Sequence, residues 1–275
     1  MFVLGLVGLV LWRLGTNGQL DPARWAILFD TRTNVPQRLL GALVNTLQVA
    51  AVGMVAATVL GALLAVGRLS DHSWVRIPVA AIIEFFRAVP LLVLILFCFL
   101  FLPRVGIQTS AFGALALGLT LYNMAVLAEI IRAGILSVDR GQSEAAYALG
   151  LRKWQVMTFV LVPQAVRRML PVLIAQLVVL LKDSSLGFIV GYLELLRTAR
   201  SLVETLNFQF GPIYTFQLYV AAGLIYIVVN VLLSQLAKLV EARTRRSKKA
   251  AATVDETELL AEVQMDGGGG ATPRI

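Results

Sequence analysis

Cysteine and histidine are almost missing from this chain, with Cys98 and His72 the sole examples in 275 residues. A single cysteine excludes an intrachain disulfide. Cys98 also lies inside an apolar run, where a thiol behaves as a small hydrophobe. One histidine with no cysteine beside it leaves no metal-ligand cluster of the usual kind, and any Ser-His-Asp set would have to be built on His72. Charge is scarce too: 15% of residues are charged against 58% hydrophobic, and the mean hydropathy is +0.81. Soluble domains do not reach those values, so the chain reads as a membrane protein. No G-x-x-x-x-G-K-[ST] phosphate loop occurs, which argues against an ATPase. The net charge of +8 is concentrated in short segments between uncharged ones, a pattern of topology rather than of nucleic-acid binding.

Crossing a bilayer core as a helix takes about 20 apolar residues. Runs at Leu39–Val66, Ile77–Leu102, Ala111–Ile131, Leu170–Val190 and Phe216–Val240 meet that length. They predict an all-α integral membrane protein with five core transmembrane helices. Met1–Leu14 is a sixth, shorter candidate. It lacks a basic n-region and a small-x-small cleavage site, so it reads as an extra, short or incomplete N-terminal helix rather than as a signal peptide. Residues 1–38 are then an apolar segment plus an extracytoplasmic stretch, and 39–243 the transmembrane domain with a polar loop at about 137–168. Residues 244–275 mix acids, four consecutive glycines and a proline, and predict a disordered tail.

Basic residues set the orientation. With the polar loop in the cytoplasm, Arg132, Arg140, Arg152, Lys153, Arg167 and Arg168 lie inside. So do Arg68, Arg76, Arg87 and the six basic residues from Lys238 to Lys249. Arg24, Arg32, Arg38, Arg104, Arg197 and Arg200 lie outside. Fifteen against six is the bias that the positive-inside rule expects, and it makes the C-terminus cytoplasmic.

The polar loop, "GQSEAAYALGLRKWQVMTFVLVPQAVRRMLP" (Gly141–Pro171), is the most organised stretch between spans. Ser143 is placed to cap a helix starting at Glu144, whose carboxylate suits the positive end of the helix dipole. Gly150 stands where a left-handed C-cap is needed. A second helix runs from Leu151 toward Val160, limited by Pro163. Ala145 and Ala146 add little bulk, so the first helix can approach another protein closely. Periodicity alone leaves two readings level, a partner dock or an interfacial helix lying on lipid.

Glu144-Ala145-Ala146, three residues, Gly150, nine residues and Val160-x-Val162-Pro163 resemble the EAA loop of bacterial ABC-importer permeases, with valine at both aliphatic positions. "EFFRAVPLLVLILF" (Glu84–Phe97), "AEIIRAGILSVDRGQSEAA" (Ala128–Ala146) and "LLKDSSLGFIV" (Leu180–Val190) are similar to motifs of the polar-amino-acid branch of that family. Ala88-Val89 and Leu94 depart from the branch's usual Gly-Thr and Gln. The resemblance covers about 41–243, and the whole pattern is most similar to glutamate-uptake permeases of actinobacteria. It implies that Glu144, Ala145, Ala146, Gly150 and Pro163 belong to a coupling element docking into an ATPase subunit. It also implies a dimer of ABC ATPases holding ATP and magnesium, a second permease subunit (identical or paralogous) and an extracytoplasmic amino-acid-binding protein. The chain itself would carry no cofactor. The location implied is the bacterial cytoplasmic membrane, with lipid around the spans.

Lys182 and Asp183 follow Pro171 by about 11 residues, roughly 16 Å of helix, near the middle of a 30 Å core. Ions at that depth normally face a partner or a watery path. Ser184, Ser185 and Gly187 add hydroxyls and looseness. The four residues Lys182, Asp183, Ser184 and Ser185 are therefore either a solute pathway or gate, or a latch between helices. Glu129 and Arg132, like Glu84 and Arg87, are spaced to pair along a helix. Pro90 predicts a kink or break, and Tyr122 and Asn123 are polar enough to face the interior. The reading is a permease subunit of an ATP-driven importer for polar amino acids, glutamate or a relative. Its rivals are an ion-coupled secondary transporter using the intramembrane charges, and a non-transporting scaffold.

Overall fold

The computed structural model describes residues 1–266, and among these no strand is formed. The principal helices are α1 (Phe2–Thr16), α2 (Val35–Arg68), α3 (Ser73–Ala88), α4 (Leu91–Leu100) and α5 (Ala111–Leu136), followed by α6 (Arg140–Ala148), α7 (Val162–Asp183), α8 (Leu195–Phe210) and α9 (Thr215–Asp266). Four helical stretches are long and apolar enough to cross a membrane: α2, α5, Lys153–Phe188 and Thr215–Leu239. A fifth is the pair α3–α4, bent by 95°. The five expected spans are therefore present, one of them broken.

The break has a local cause. Proline cannot continue the hydrogen-bond ladder, and it pushes the preceding residue into extended backbone. Val89 is extended at ψ 128°, and Pro90 caps the new helix at ψ 134°. The run Ile77–Leu102, read as one span, is thus two half-helices. The α1 helix holds only 15 residues, about 22 Å, shorter than a bilayer core. Nearly all its described side chains are exposed.

Helix α2 organises the bundle because its buried face is built from small residues. Ala42, Thr46, Ala50, Gly53, Ala57, Gly61 and Ala65 recur at three- or four-residue spacing and let α5 approach closely. A Cβ on Gly61 would lie 2.9 Å from the Met124 carbonyl oxygen of α5. Three apolar levels stack along this helix. At one end Val35, Leu39 and Ala42 meet α8 and the start of α9 through Leu202 and Leu218. Midway, Val49 and Ala50 meet Ile95, Leu119 and Leu180. At the other end Ala65 packs with Ile131, Ile135, Ala165 and Met169. Among the buried polar groups, fully buried Asn123 donates to the Leu119 carbonyl (2.8 Å) and accepts from Gln176 of α7 (2.8 Å).

Helix α9 runs on to Asp266, past the 243/244 boundary set by composition. Residues 267–275 of the expected tail lie outside the described residues.

Candidate functional site

Helix α6 begins earlier than the sequence reading placed it. Asp139, not Ser143, is the cap, its carboxylate accepting from the Gly141 N–H at 2.8 Å. Ser143 sits inside the helix and donates to the Arg140 carbonyl (2.8 Å). Aspartate two positions ahead of a helical N–H satisfies an orphan donor as well as serine does. Gly150 has φ +81°, with the Leu151 N–H donating back to Ala146 at 3.2 Å, the left-handed end expected there.

Glu144, Ala145 and Gly150 are exposed, and Leu149 is 83% exposed. Ala146 is buried against its own chain, so only one of the two small residues expected to meet a partner is free to do so. Beyond Gly150 comes a short turn, Lys153–Gln155, and then a π-helical turn, Val156–Leu161, which leads straight into α7. Pro163 therefore does not limit this helix. It falls in the first turn of α7 after a register change, where a missing N–H costs least.

Three contacts tie the loop to the bundle. Gln164 of α7 donates to Gln142 of α6 (3.2 Å), and Arg168 donates to the Ser137 carbonyl. Lys153 forms an ion pair with Asp71, in the turn between α2 and α3. Its hydrogen bond and charge hold the exposed Asp71 carboxyl below the usual carboxylate range.

Lys182 and Asp183 are the last residues of α7, followed by a 3-10 turn, Ser184–Phe188. The helix starts at Val162, earlier than the apolar run read from Leu170, and the pair closes it. Lys182 and Ser185 line a cavity of about 260 Å³ with Leu196, Tyr219, Gly223 and Tyr226. Ser184 is fully buried and donates to the Leu181 carbonyl (2.6 Å), and Asp183 is half-buried outside that lining. Of the four residues singled out, two share a cavity.

Two features of charged residues escaped the sequence reading: the burial of Glu194 and the pairing of Arg68. Glu194 is fully buried, and its carboxylate accepts from the N–H groups of Leu196 and Arg197 and from the Tyr226 hydroxyl, each at 2.7 Å. An acid opening an amphipathic helix was a legible cap, but its burial was not. Arg68 lies 3.7 Å from both Glu84 and Glu129. Glu129 also pairs with Arg132 at 2.8 Å, as the spacing predicted. Glu84 instead takes its partner from α2, and Arg87 has no acidic partner among the described residues. Glu84, Arg87, Tyr122 and Glu129 line a cavity of about 740 Å³.

An exposed polar helix joined to an apolar bundle with a broken helix pair and cavities lined by charged side chains points to a transport subunit, and comparison agrees. Residues 57–246 match the binding-protein-dependent transport system inner membrane component family, and the chain belongs to it. It is a multi-pass membrane protein. The chain is 40% identical over 238 residues to the glutamate transport system permease protein GluD of Corynebacterium glutamicum, covering 86% of this chain and 85% of that one. Against the glutamate/aspartate import permease protein GltK of Escherichia coli identity is 33%, over 78% and 98% of the two chains. A crystal structure of an amino acid ABC transporter with histidines superposes at TM-score 0.69 with 30% identity, over 78% and 97% of the chains.

Proposed function

We propose that this chain is the translocation subunit of an importer for a polar amino acid, glutamate foremost, driven by ATP hydrolysis in a separate subunit dimer. The observation that carries the reading is the segment Arg140–Leu161. It displays Glu144, Ala145 and Leu149 outward with no cover from its own chain, and its second part, from Lys153, continues without a break into the helix that ends at Asp183. Such an element suits insertion into a partner's groove. Glu144, Ala145, Gly150 and Pro163 form the coupling element, with Ala146 seating it on the bundle. The names of the relatives favour glutamate.

In this reading a second permease subunit completes the pathway, and an extracytoplasmic binding protein delivers the solute. The basic loop and the C-terminal end face the cytoplasm, in keeping with the positive-inside bias. Lys182 and Ser185 offer an ammonium and a hydroxyl to an amino-acid carboxylate within their cavity, while Asp183 and Ser184 shape the turn behind them. Reconstitution with the cognate ATPase and binding protein tests the proposal. Glutamate uptake should require ATP and cease when the ATPase is left out. Uptake driven by an ion gradient without nucleotide would overturn it, and absence of any solute flux would favour the scaffold reading.

A further inference from the structure

A cavity of about 680 Å³ opens where the ends of three spans meet the polar loop. Much of its lining is apolar: Leu69 after α2, Ile135 in the last turn of α5, Met157 of the π-helical turn and Val162 at the start of α7, with the largely exposed Val66 of α2 beside them. Its mouth is polar and carries Asp71, His72, Arg152, Lys153 and Trp154. The transition from apolar wall to charged mouth coincides with the ends of the membrane-spanning helices, the level at which lipid headgroups lie.

Two features select an occupant. Aromatic side chains flank the mouth without being buried: Trp154 is 58% exposed with its ring 6.0 Å from that of Phe159, and Trp74 is 76% exposed with its ring 6.0 Å from His72. Exposed tryptophans at span ends are characteristic of the membrane–water interface. The charge of the mouth is positive on balance. Lys153 is matched by Asp71, whereas exposed Arg152 has no acidic partner among the described residues. The exposed Arg152 guanidinium is therefore open to an external acceptor.

We propose that this cavity is a binding site for an anionic phospholipid. The phosphate contacts Arg152 and Lys153 at the mouth, the glycerol region lies against Trp154, and one acyl chain fills the apolar part. Basic pockets between helices at a cytoplasmic surface bind such headgroups. Arg adds planar, bidentate recognition of phosphate oxygens. Asp71 opposes binding twice, by repelling the phosphate and by occupying Lys153. The site rests on the membrane-spanning fold and not on the identity of the solute. An adjoining lipid would couple the α2–α3 turn to the loop that contains the proposed docking helix.

Native mass spectrometry of the detergent-purified transporter complex, titrated with phosphatidylglycerol or phosphatidylcholine, tests this. Phosphatidylglycerol is expected to be retained in preference. Arg152→Gln should weaken its retention about fivefold, the effect of one basic side chain near a lipid surface. Asp71→Asn should strengthen it by a similar factor, an outcome that general loss of folding cannot mimic. Met157→Trp, which fills the apolar part, should abolish retention with the charges intact. A photoreactive phosphatidylglycerol should label the 152–158 segment. Equal retention of the two lipids, indifference to Arg152→Gln and Asp71→Asn, or labelling elsewhere would overturn the proposal. ATP-dependent uptake measured on the same preparations reports separately on the transport reading.

Discussion

Gly118→Ala is the sharpest test of how the broken span is held. Gly118 lies in α5, and a Cβ built on it would fall 2.5 Å from Ile95 Cγ1, 2.9 Å from Ile95 Cα and 3.1 Å from Ile95 N, all in α4. Side-chain rotation can relieve only the first contact. The other two involve helix backbone, so α4 must move away by about half an ångström to restore ordinary contact. Ile95 is fully buried among Leu115, Leu119 and Leu180, which resist that movement. Overpacking of a close-packed site costs roughly 1–3 kcal/mol. The better helix propensity of alanine returns about 0.5–1 kcal/mol. Against a helical glycine-to-alanine control that gains the same propensity, the remaining loss of about 1–3 kcal/mol should lower the unfolding temperature by about 2–12 °C, at the 2–4 °C per kcal/mol found for chains near this size. Gly41→Ala is the control, because nothing lies within 4 Å of its added methyl. Thermal unfolding of both variants in the same detergent decides the matter. If Gly118→Ala melts no lower than Gly41→Ala, the close packing of α4 on α5 does not hold the half-helix.

Other outcomes follow from the sites described. At Gly150 the surroundings are open, so Gly150→Val acts only through its φ of +81°, costing about 1–2 kcal/mol locally. Substrate-stimulated ATP hydrolysis in the reconstituted transporter should fall while membrane insertion is retained. Lys182→Met should alter the KM of uptake with complex yield unchanged; a poor yield with normal kinetics would assign Lys182 to a latch. Glu194→Leu leaves two N–H donors and the Tyr226 hydroxyl without their acceptor. It should destabilise the fold by about 2–4 kcal/mol, read as a drop in unfolding temperature, whereas Glu204→Leu on the exposed face of α8 should cost under 1 kcal/mol.

The sequence was most legible where one local rule governed the outcome. Hydropathy located the spans because lipid demands an internally bonded helix about 20 residues long. Pro90 announced the break, and Gly150 its left-handed turn, because each residue restricts or frees its own backbone. The EAA pattern was legible through its resemblance to a known family's loop, where periodicity alone left two readings level. What stayed hidden depended on partners distant in sequence. Glu84 looked complete with Arg87 beside it, yet Arg68 arrives from another helix. Ser143 and Asp139 are both good caps, and only the true start of α6 chooses between them. Pro163 ordinarily ends a helix, and nothing local forecasts the π-helical turn that accommodates it. That Lys182 and Asp183 close their helix was equally hidden, because the 3-10 turn that follows is set by tertiary packing.

The unbroken run from the polar loop into α7 makes that helix a lever. Its 22 residues form a rod about 33 Å long. One end is pinned to α6 and the α5 terminus by Gln164 and Arg168, and the other ends at the Lys182 cavity. A tilt of about 5° at the pinned end would carry the far tip about 3 Å, roughly the diameter of a water molecule, at 1.5 Å of rod per residue. The stroke depends on where the rod yields. Pro171 interrupts the ladder within it, and the π-helical turn 156–161 that leads into it has a different hydrogen-bond register. Stiffening that turn would change how far the tip travels without altering a single group in the cavity.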